Sequence, residues 1–271
     1  MSKKQNNTGR NMQLFVLHHD PDLAARMLCD THLTSQSKEA VQILYTALQK
    51  LGVGVTKSVL IPGGVDGKDD SVYALPYKPV WTHPCVDWVM SGAEAMRWTI
   101  KHAESIVDEF EQRYGHKLKV YFHLQHIKAH FEQCLGNYPL LDGQLTGADW
   151  LGILDEPDRL RVESRLATVN APTGVGFGVV AMDPEFVVFD DEGCIDCVAS
   201  YLKFYTHKAK HQFVMKWRRE LQPPPVVAAA FAVYDPDTPP LTVRPSKKRK
   251  NIDDEAAFPE AAALASATEA A

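Results

Sequence analysis

Along residues 35–50 the apolar side chains Ala40, Val41, Leu44, Tyr45 and Leu48, with Leu51 following, recur every three or four positions. That is the period of one buried helical stripe, so a helix is predicted here, and Gly52 and Gly54 end it. A shorter helix is predicted over 21–29, opened by Asp20-Pro21, because proline is accepted in a first turn. Before it, the apolar run Met12 to Leu17 suits one buried strand or extended segment. His83-Pro84 opens the longest predicted helix, over 83–114, with Val86, Val89, Met90, Ala93, Met96, Ile100, Ala103, Ile106 and Val107 facing the core and Gly115 as its stop. Further helices are predicted over 119–135 and 194–220.

The intervening stretches lack a period. Residues 52–80 are rich in Gly, Pro and Asp and read as a long surface loop, of a kind that tends to be functional or mobile. Residues 136–180 are mixed, with a candidate β element at 174–188. Residues 1–11 are polar and read as a disordered lead. From Gln222 the composition turns to Pro223-Pro224-Pro225, a basic run Lys247-Lys248-Arg249-Lys250 and an Ala-rich acidic end, the pattern of a disordered tail. The expected fold is mainly α: a compact single-domain helical bundle over 12–221 with long loops and a candidate small β element, flanked by the lead at 1–11 and the Pro/Ala-rich tail at 222–271.

Composition narrows the classes. With 45% hydrophobic and 23% charged residues, the 271-residue chain can bury a real core. Its formal net charge of -5 excludes a general polycation, so any nucleic-acid surface must be local. Five scattered cysteines, Cys29, Cys85, Cys134, Cys194 and Cys197, argue for free thiols in a reducing compartment over a secreted disulfide framework. The first eleven residues have no signal-peptide core, and no apolar run approaches the roughly 18 residues of a membrane span. A location inside a cell, cytoplasmic or nuclear, is expected.

Several constellations could carry chemistry. Asp30-Thr31-His32 is followed by Lys38-Glu39, and the seven-position spacing from His32 to Glu39 returns them to nearly the same helical face, about 10 Å apart. A carboxylate beside a lysine can act as general acid or base while the ammonium anchors a phosphate; the plainer reading is a helix-entry histidine and a solvated first turn. Over 198–219, Lys203, Lys208, Lys210, Lys216, Arg218 and Arg219 occur with no acidic residue, interleaved with Tyr201, Phe204, Tyr205, Phe213 and Trp217. Such a segment either grips a phosphate backbone and stacks on bases, or is a helix with aromatics in the core and lysines in water. His123, His126 and His130 fall at i, i+3 and i+7, a spacing that can bind zinc, but no carboxylate or cysteine pattern completes a site. Cys194-x-x-Cys197 stands without a second pair. Gly174-x-Gly176-x-Gly178 lacks the dinucleotide spacing and reads as a turn. No metal and no nucleotide cofactor is expected. The run Lys247 to Lys250 reads equally as a nuclear localisation signal or a solubilising, weakly DNA-binding tail.

The string Phe15-Val16-Leu17-x-x-Asp20-Pro21-x-x-Ala24-Ala25, continuing through Cys29-Asp30-x-His32 to Glu39-Ala40-x-Gln42-x-Leu44, resembles the opening of the pyrimidine-dimer DNA glycosylase-like proteins of phages and large DNA viruses. Tyr77-Lys78-Pro79, His83-Pro84-Cys85 with Trp88, Arg113-Tyr114-Gly115 and the Tyr201 to Trp217 stretch follow in the family's order, so the resemblance spans most of 12–220. It implies a compact helical fold and a DNA glycosylase with strand-cleaving lyase activity, in which an amine forms a Schiff base with the sugar of a flipped-out site and a glutamate assists. The family's Asp-x-His, basic residue and glutamate map onto Asp30, His32, Lys38 and Glu39. Eleven residues precede Met12, which aligns with the family's start and its nucleophilic amine, and Thr31 and Ser35 stand where the viral proteins usually have lysines.

The catalytic candidates are therefore Glu39 as acid or base, with His32 and Lys38 orienting substrate. Lys78, His83, Arg113, Lys203, Lys208, Lys210 and Trp217 are the candidate contacts to double-stranded DNA. Two other readings keep the same pocket: a catalytically silent DNA-binding or virus-associated protein, and a viral enzyme of DNA or nucleotide modification.

Overall fold

The computed structural model describes residues 14–56, 58–62, 71–75, 82–137, 155–166, 181–211, 215–218 and 223–234. Lys78, the glycine run at 174–178, the lead at 1–11 and the basic run at 247–250 lie outside them. Eight helices are described: α1 (Pro21–Met27), α2 (Asp30–Lys50), α3 (Pro84–Val89), α4 (Ala93–Tyr114), α5 (Val120–Asn137), α6 (Glu156–Leu166), α7 (Cys197–His211) and α8 (Pro225–Tyr234). With them is one antiparallel hairpin, β1 (Ser58–Ile61) and β2 (Ser71–Ala74). The expectation of a mainly helical fold with a small β element is met.

Helix α2 is the element around which the others pack, meeting α3, α4 and α5. The expected stripe of Ala40, Val41, Leu44, Tyr45, Leu48 and Leu51 is buried. So are Ile43, Thr46 and Ala47, because α2 is enclosed on more than one side. Each large apolar side chain withdrawn from water contributes about 1.5–3 kcal/mol, which makes this helix the main seat of the core. Polar α2 residues that share the interior are accordingly bonded. Lys50 Nζ meets Asp158 Oδ1 of α6 at 2.6 Å. Arg161, also on α6, bonds both Asp158 and the Asp87 carboxylate of α3, at 3.0 Å to Asp87 Oδ1. This charged chain staples α2, α6 and α3.

Four local expectations change. Residues 83–114 form two helices: α3 ends at Val89 with Met90 as its C-cap, and α4 starts after Gly92 with no side-chain cap. The apolar spacing runs through this break because Met90 and Ala93 stay buried on both sides of it, so periodicity alone could not register it. The stretch 52–80, expected as loop, contains the β-hairpin, in register Ser58↔Ala74 to Ile61↔Ser71. Only Val59 and Ile61 of β1 point inward, and two inward positions are too few to set a visible period. The β element expected at 174–188 lies partly outside the described residues; its described end is a 3₁₀ turn at Pro184–Phe186 and a single bridge, Phe189↔Ile195. Finally, of the helix expected over 194–220, Cys197–His211 is described as helix α7, and 215–217 have no regular structure.

Residues 225–234, expected within a disordered tail, are helical. Pro225 opens α8, and Val227, Ala230 and Phe231 sit at i, i+3 and i+4 and are buried, packing on α7. The proline run masked this stripe: Pro224 and Pro225 read as breakers, but at a first turn proline lacks no needed donor, and Ala228 N–H bonds Pro224 O at 3.0 Å. Gly115, by contrast, ends α4 as expected, at φ 81°, a left-handed conformation that favours glycine.

Candidate active site on helix α2

Helix α2 begins at Asp30, five residues earlier than its apolar stripe implies, so Asp30, His32, Lys38 and Glu39 all lie on one helix. Its start lacks a side-chain cap; Asp30 N–H instead donates to Lys216 O at 2.8 Å, so the segment after α7 closes the helix end. The Asp30 carboxylate, well placed at a positive helix terminus, accepts from Arg218 N–H at 3.1 Å and from Arg113 Nη1 at 3.0 Å. Asp30 is thus a clasp between α2, α4 and the chain after α7.

His32, two residues on, points into an aromatic pocket and is 6% exposed. The Tyr205 hydroxyl of α7 accepts from Cys29 N–H at 2.7 Å and lies 3.0 Å from His32 Nδ1. The Phe15 ring packs 4.8 Å from His32 and 5.4 Å from Tyr205. Burial, reinforced by the nearby Lys208 ammonium, holds the imidazole neutral, its pKa pushed down to about 3. His32 is therefore a wall and a positioning group for Phe15 and Tyr205, and not a cation toward solvent.

Glu39 lies on the same stripe, as the seven-residue spacing implies, but at the surface end, half-buried. Gln36, one turn earlier, donates Nε2 to Glu39 Oε2 at 3.0 Å while its Oε1 accepts from Phe15 N–H at 2.9 Å. One amide thereby ties the carboxylate to the buried N-terminal segment. Lys38 is exposed, about 100° around the helix from Glu39.

The fourth member comes from α7. Lys208 Nζ stands 5.1 Å from the Phe204 ring centroid and 5.6 Å from that of Phe15, within the electrostatic reach of Glu39 and His32. Burial holds its amine below the ordinary lysine range, against the opposing pull of Glu39 and Cys29. Sequence reasoning placed Lys208 only among backbone contacts, read Tyr205 as a base-stacking or core aromatic without linking it to His32, and overlooked Gln36. Gln36 was within reach of the helical period, at i+4 from His32 and i−3 from Glu39. Tyr205 and Lys208 were not, since 169 residues separate Glu39 from Lys208.

Three candidate DNA contacts point inward. His83 caps α3, its Nδ1 accepting from Cys85 N–H at 3.1 Å, and is 5% exposed. Trp217 is buried and donates Nε1 to Met27 O at 3.2 Å. Arg113 is also buried, donating to Glu109 at 2.7 Å, Leu28 O at 2.9 Å, Asp30 at 3.0 Å and Arg26 O at 3.0 Å. These side chains are absorbed by helix ends and clasps, because each end leaves backbone groups that need partners. The aromatics Tyr201, Phe204 and Tyr205 are core as well. Lys203, which donates to Glu185 O at 2.7 Å, and exposed Lys210 remain on the outer side of α7.

Removing Arg113 should consequently damage stability before binding. Arg113→Met removes the cation from Asp30 and Glu109 and the side-chain donor from two carbonyls, at an expected cost of about 3–5 kcal/mol. Urea denaturation checks it; an unchanged midpoint together with weakened DNA binding would return Arg113 to the nucleic-acid surface.

The histidines of α5 do not form a metal centre among the described residues. His123 is buried with Nδ1 2.8 Å from the Tyr45 hydroxyl, His126 Nε2 lies 3.3 Å from Thr56 Oγ1, and His130 Nδ1 lies 2.8 Å from His126 O. Cys29, Cys85, Cys194 and Cys197 are free thiols. A cavity of about 540 Å³ lies near the start of α2, lined by Arg26, Arg113, Trp217 and Arg218. Asp30, which binds two of these arginines, and Glu39 are nine residues apart, about two and a half turns, and so project from opposite sides of α2. That cavity is not the Glu39 site.

A helical protein with a half-exposed carboxylate and a half-buried amine, and with exposed lysines at Lys38 and Lys210, is defined by these elements. Residues 12–122 match the model of the family described as pyrimidine dimer DNA glycosylase. The match takes in Asp30, His32, Lys38 and Glu39 and runs from the N-terminal segment to the first residues of α5. The expected resemblance of the 201–217 stretch falls outside it. No curated protein and no solved structure matches the chain. No described helix is long and apolar enough to cross a membrane.

Proposed function

We propose that the protein is a DNA-repair glycosylase with associated strand-cleaving activity, acting on damaged or modified bases in double-stranded DNA, with Glu39 as its acid/base group. The family match over 12–122 supports the class, and the observation that carries the site is the fixed position of Glu39: held by Gln36, half-exposed, on the stripe of His32 and beside a cationic side chain. A carboxylate so placed can take a proton from an attacking amine or from the sugar and return it to a leaving group. His32 positions the aromatic wall, and Lys38 meets phosphate at the rim. Removing a base requires the nucleotide to leave the stack, and the half-exposed location of Glu39 suits a flipped-out nucleotide.

The test is incubation with ultraviolet-irradiated and abasic duplexes, followed by strand analysis. Nicking at the lesion is expected. Duplex binding without nicking would instead identify a DNA-binding protein that retains the fold without the chemistry.

Lys38, Lys203 and Lys210 supply the rim charge. Changing all three to glutamine should weaken duplex binding and reduce the slope of log K against log salt by roughly 2 to 3, about 0.9 for each phosphate that is no longer neutralised. An unchanged slope would show that DNA approaches from another side.

A further inference from the structure

We propose that Gln36 is the positioning residue of this site: its amide holds Glu39 as an ionised base in one rotamer and fixes that carboxylate to the N-terminal segment. The inference rests on the acid/base reading of Glu39 above and adds what sets the state of that group.

Gln36 is 1% exposed, so its amide cannot turn to water for a partner. The way the amide faces follows from the chemistry on one side of it. Phe15 N–H is a backbone donor and can meet only an acceptor, so the amide oxygen Oε1 faces it, at 2.9 Å. The nitrogen is thereby turned to Glu39, and Nε2, which has only hydrogens to offer, donates to Oε2 at 3.0 Å. A carboxylate oxygen accepts such a bond more strongly than the oxygen of a neutral acid, so the contact favours the charged form. Phe15 is itself anchored, its ring packed against those of His32 and Tyr205. A fixed point of the core therefore reaches Glu39 through one side chain.

The charged and titratable groups around Glu39 act differently. On its own helix, His32 is buried and neutral, and Lys38 projects about 100° away. From α7, Lys208 favours the charged carboxylate through its field. From the N-terminal segment, the Phe15 backbone amide is bound by Gln36. A nearby cation attracts either oxygen in several rotamers, whereas a hydrogen bond selects one oxygen and one rotamer.

Gln36→Met removes the donor and keeps the reach of the side chain. Isotope-edited NMR of the glutamate carboxyls, with the Glu39 signal identified by its absence from Glu39→Gln, reads the pH at which Glu39 is half protonated. That pH is expected to rise by about one unit, because the charged form loses a hydrogen bond. The acid limb of the nicking rate on an abasic duplex should move up with it. Nicking then falls about tenfold at a pH below both midpoints and returns to within about threefold of wild type on the alkaline side, with duplex Kd also within about threefold. A purely structural defect would lower the rate at every pH and leave the limb in place. Should the methionine variant fail to fold, Gln36→Glu still offers Phe15 N–H an acceptor; there two carboxyls meet and titrate as a coupled pair, one midpoint raised above the ordinary glutamate range.

A Glu39 midpoint unmoved by Gln36→Met, or independent titration of the two carboxyls in Gln36→Glu, overturns the assignment and leaves the acid/base reading standing. A midpoint that moves while the acid limb stays in place gives the limb to another group and overturns both, as does a wild-type chain that does not nick.

Discussion

Glu39→Gln is expected to slow nicking of an abasic duplex by about 10²- to 10⁴-fold while changing duplex affinity by less than about threefold. The amide has nearly the same shape, and its oxygen can still accept from Gln36 Nε2, so the tie through Gln36 to Phe15 survives. What disappears is the ability to exchange a proton and the negative charge beside Lys208. A loss confined to the chemical step is the signature of an acid/base group: the rate constant falls, whereas binding, governed by phosphate contacts at the rim, does not. Wild-type nicking by the variant would reduce Glu39 to a surface residue of α2 and move the chemistry elsewhere. Loss of binding in step with loss of rate would instead indicate that α2 itself had shifted, which circular dichroism and a denaturation midpoint would reveal.

The second large effect is acid lability. His32, His102 and His123 are each buried and neutral, with pKa values pushed down to about 3, about 4 and about 4, burial being the leading cause in each. His102 and His123 also keep an Nε2 with no hydrogen-bond partner among the described residues, so neither has a group waiting to stabilise a second proton. In the unfolded chain the same imidazoles titrate near 6.5. Between that value and about 4 the unfolded state binds more protons than the fold, so stability falls as the pH drops through this window. Three such groups imply an uptake of roughly three protons on unfolding at pH 5, or roughly 4 kcal/mol per pH unit at the steepest. Lowered carboxylates such as Asp22 and Asp158 add a loss of the same sign at still lower pH. Urea midpoints collected from pH 7 to 4.5 measure the slope. A flat profile would mean that these imidazoles accept protons inside the fold.

Together these expectations separate stability from chemistry along a single helix. The Asp30 end of α2 is bound up with Arg113 and Arg218 and holds three elements in place. The Glu39 side carries the carboxylate proposed as the acid/base group. A variant at one end should therefore read out in denaturation, and at the other in turnover, which makes α2 a convenient test of the whole proposal.

Much of this helix was legible in the residues themselves. Its apolar positions set the buried stripe, its seven-residue spacing placed His32 and Glu39 on one face, and glycines marked the ends of α2 and α4. These are properties of a regular backbone, and they follow from 100° per residue without reference to anything beyond the helix. The same period also misled: it ran unbroken from Val86 through Met96 although the chain breaks at 90–92, because both helices bury the same side. In the hairpin and in α8 the periodic signal was too short, or hidden behind prolines, to be read.

What periodicity could not decide is which polar residues face water. Arg113, His83 and Trp217 have the chemistry of DNA contacts, yet Arg113 and Trp217 meet backbone groups or a carboxylate brought near by other elements and His83 caps the first turn of its own helix. Lys208 shows the reverse, a residue read as one of several backbone cations that the packing of α7 sets over the Phe15 ring, within electrostatic reach of Glu39. The sequence by itself determined the helical class, the α2 stripe and the carboxylate. Only the tertiary structure decided the company that carboxylate keeps, because burial and charge pairing depend on neighbours far along the chain, whereas helical spacing depends on the backbone alone.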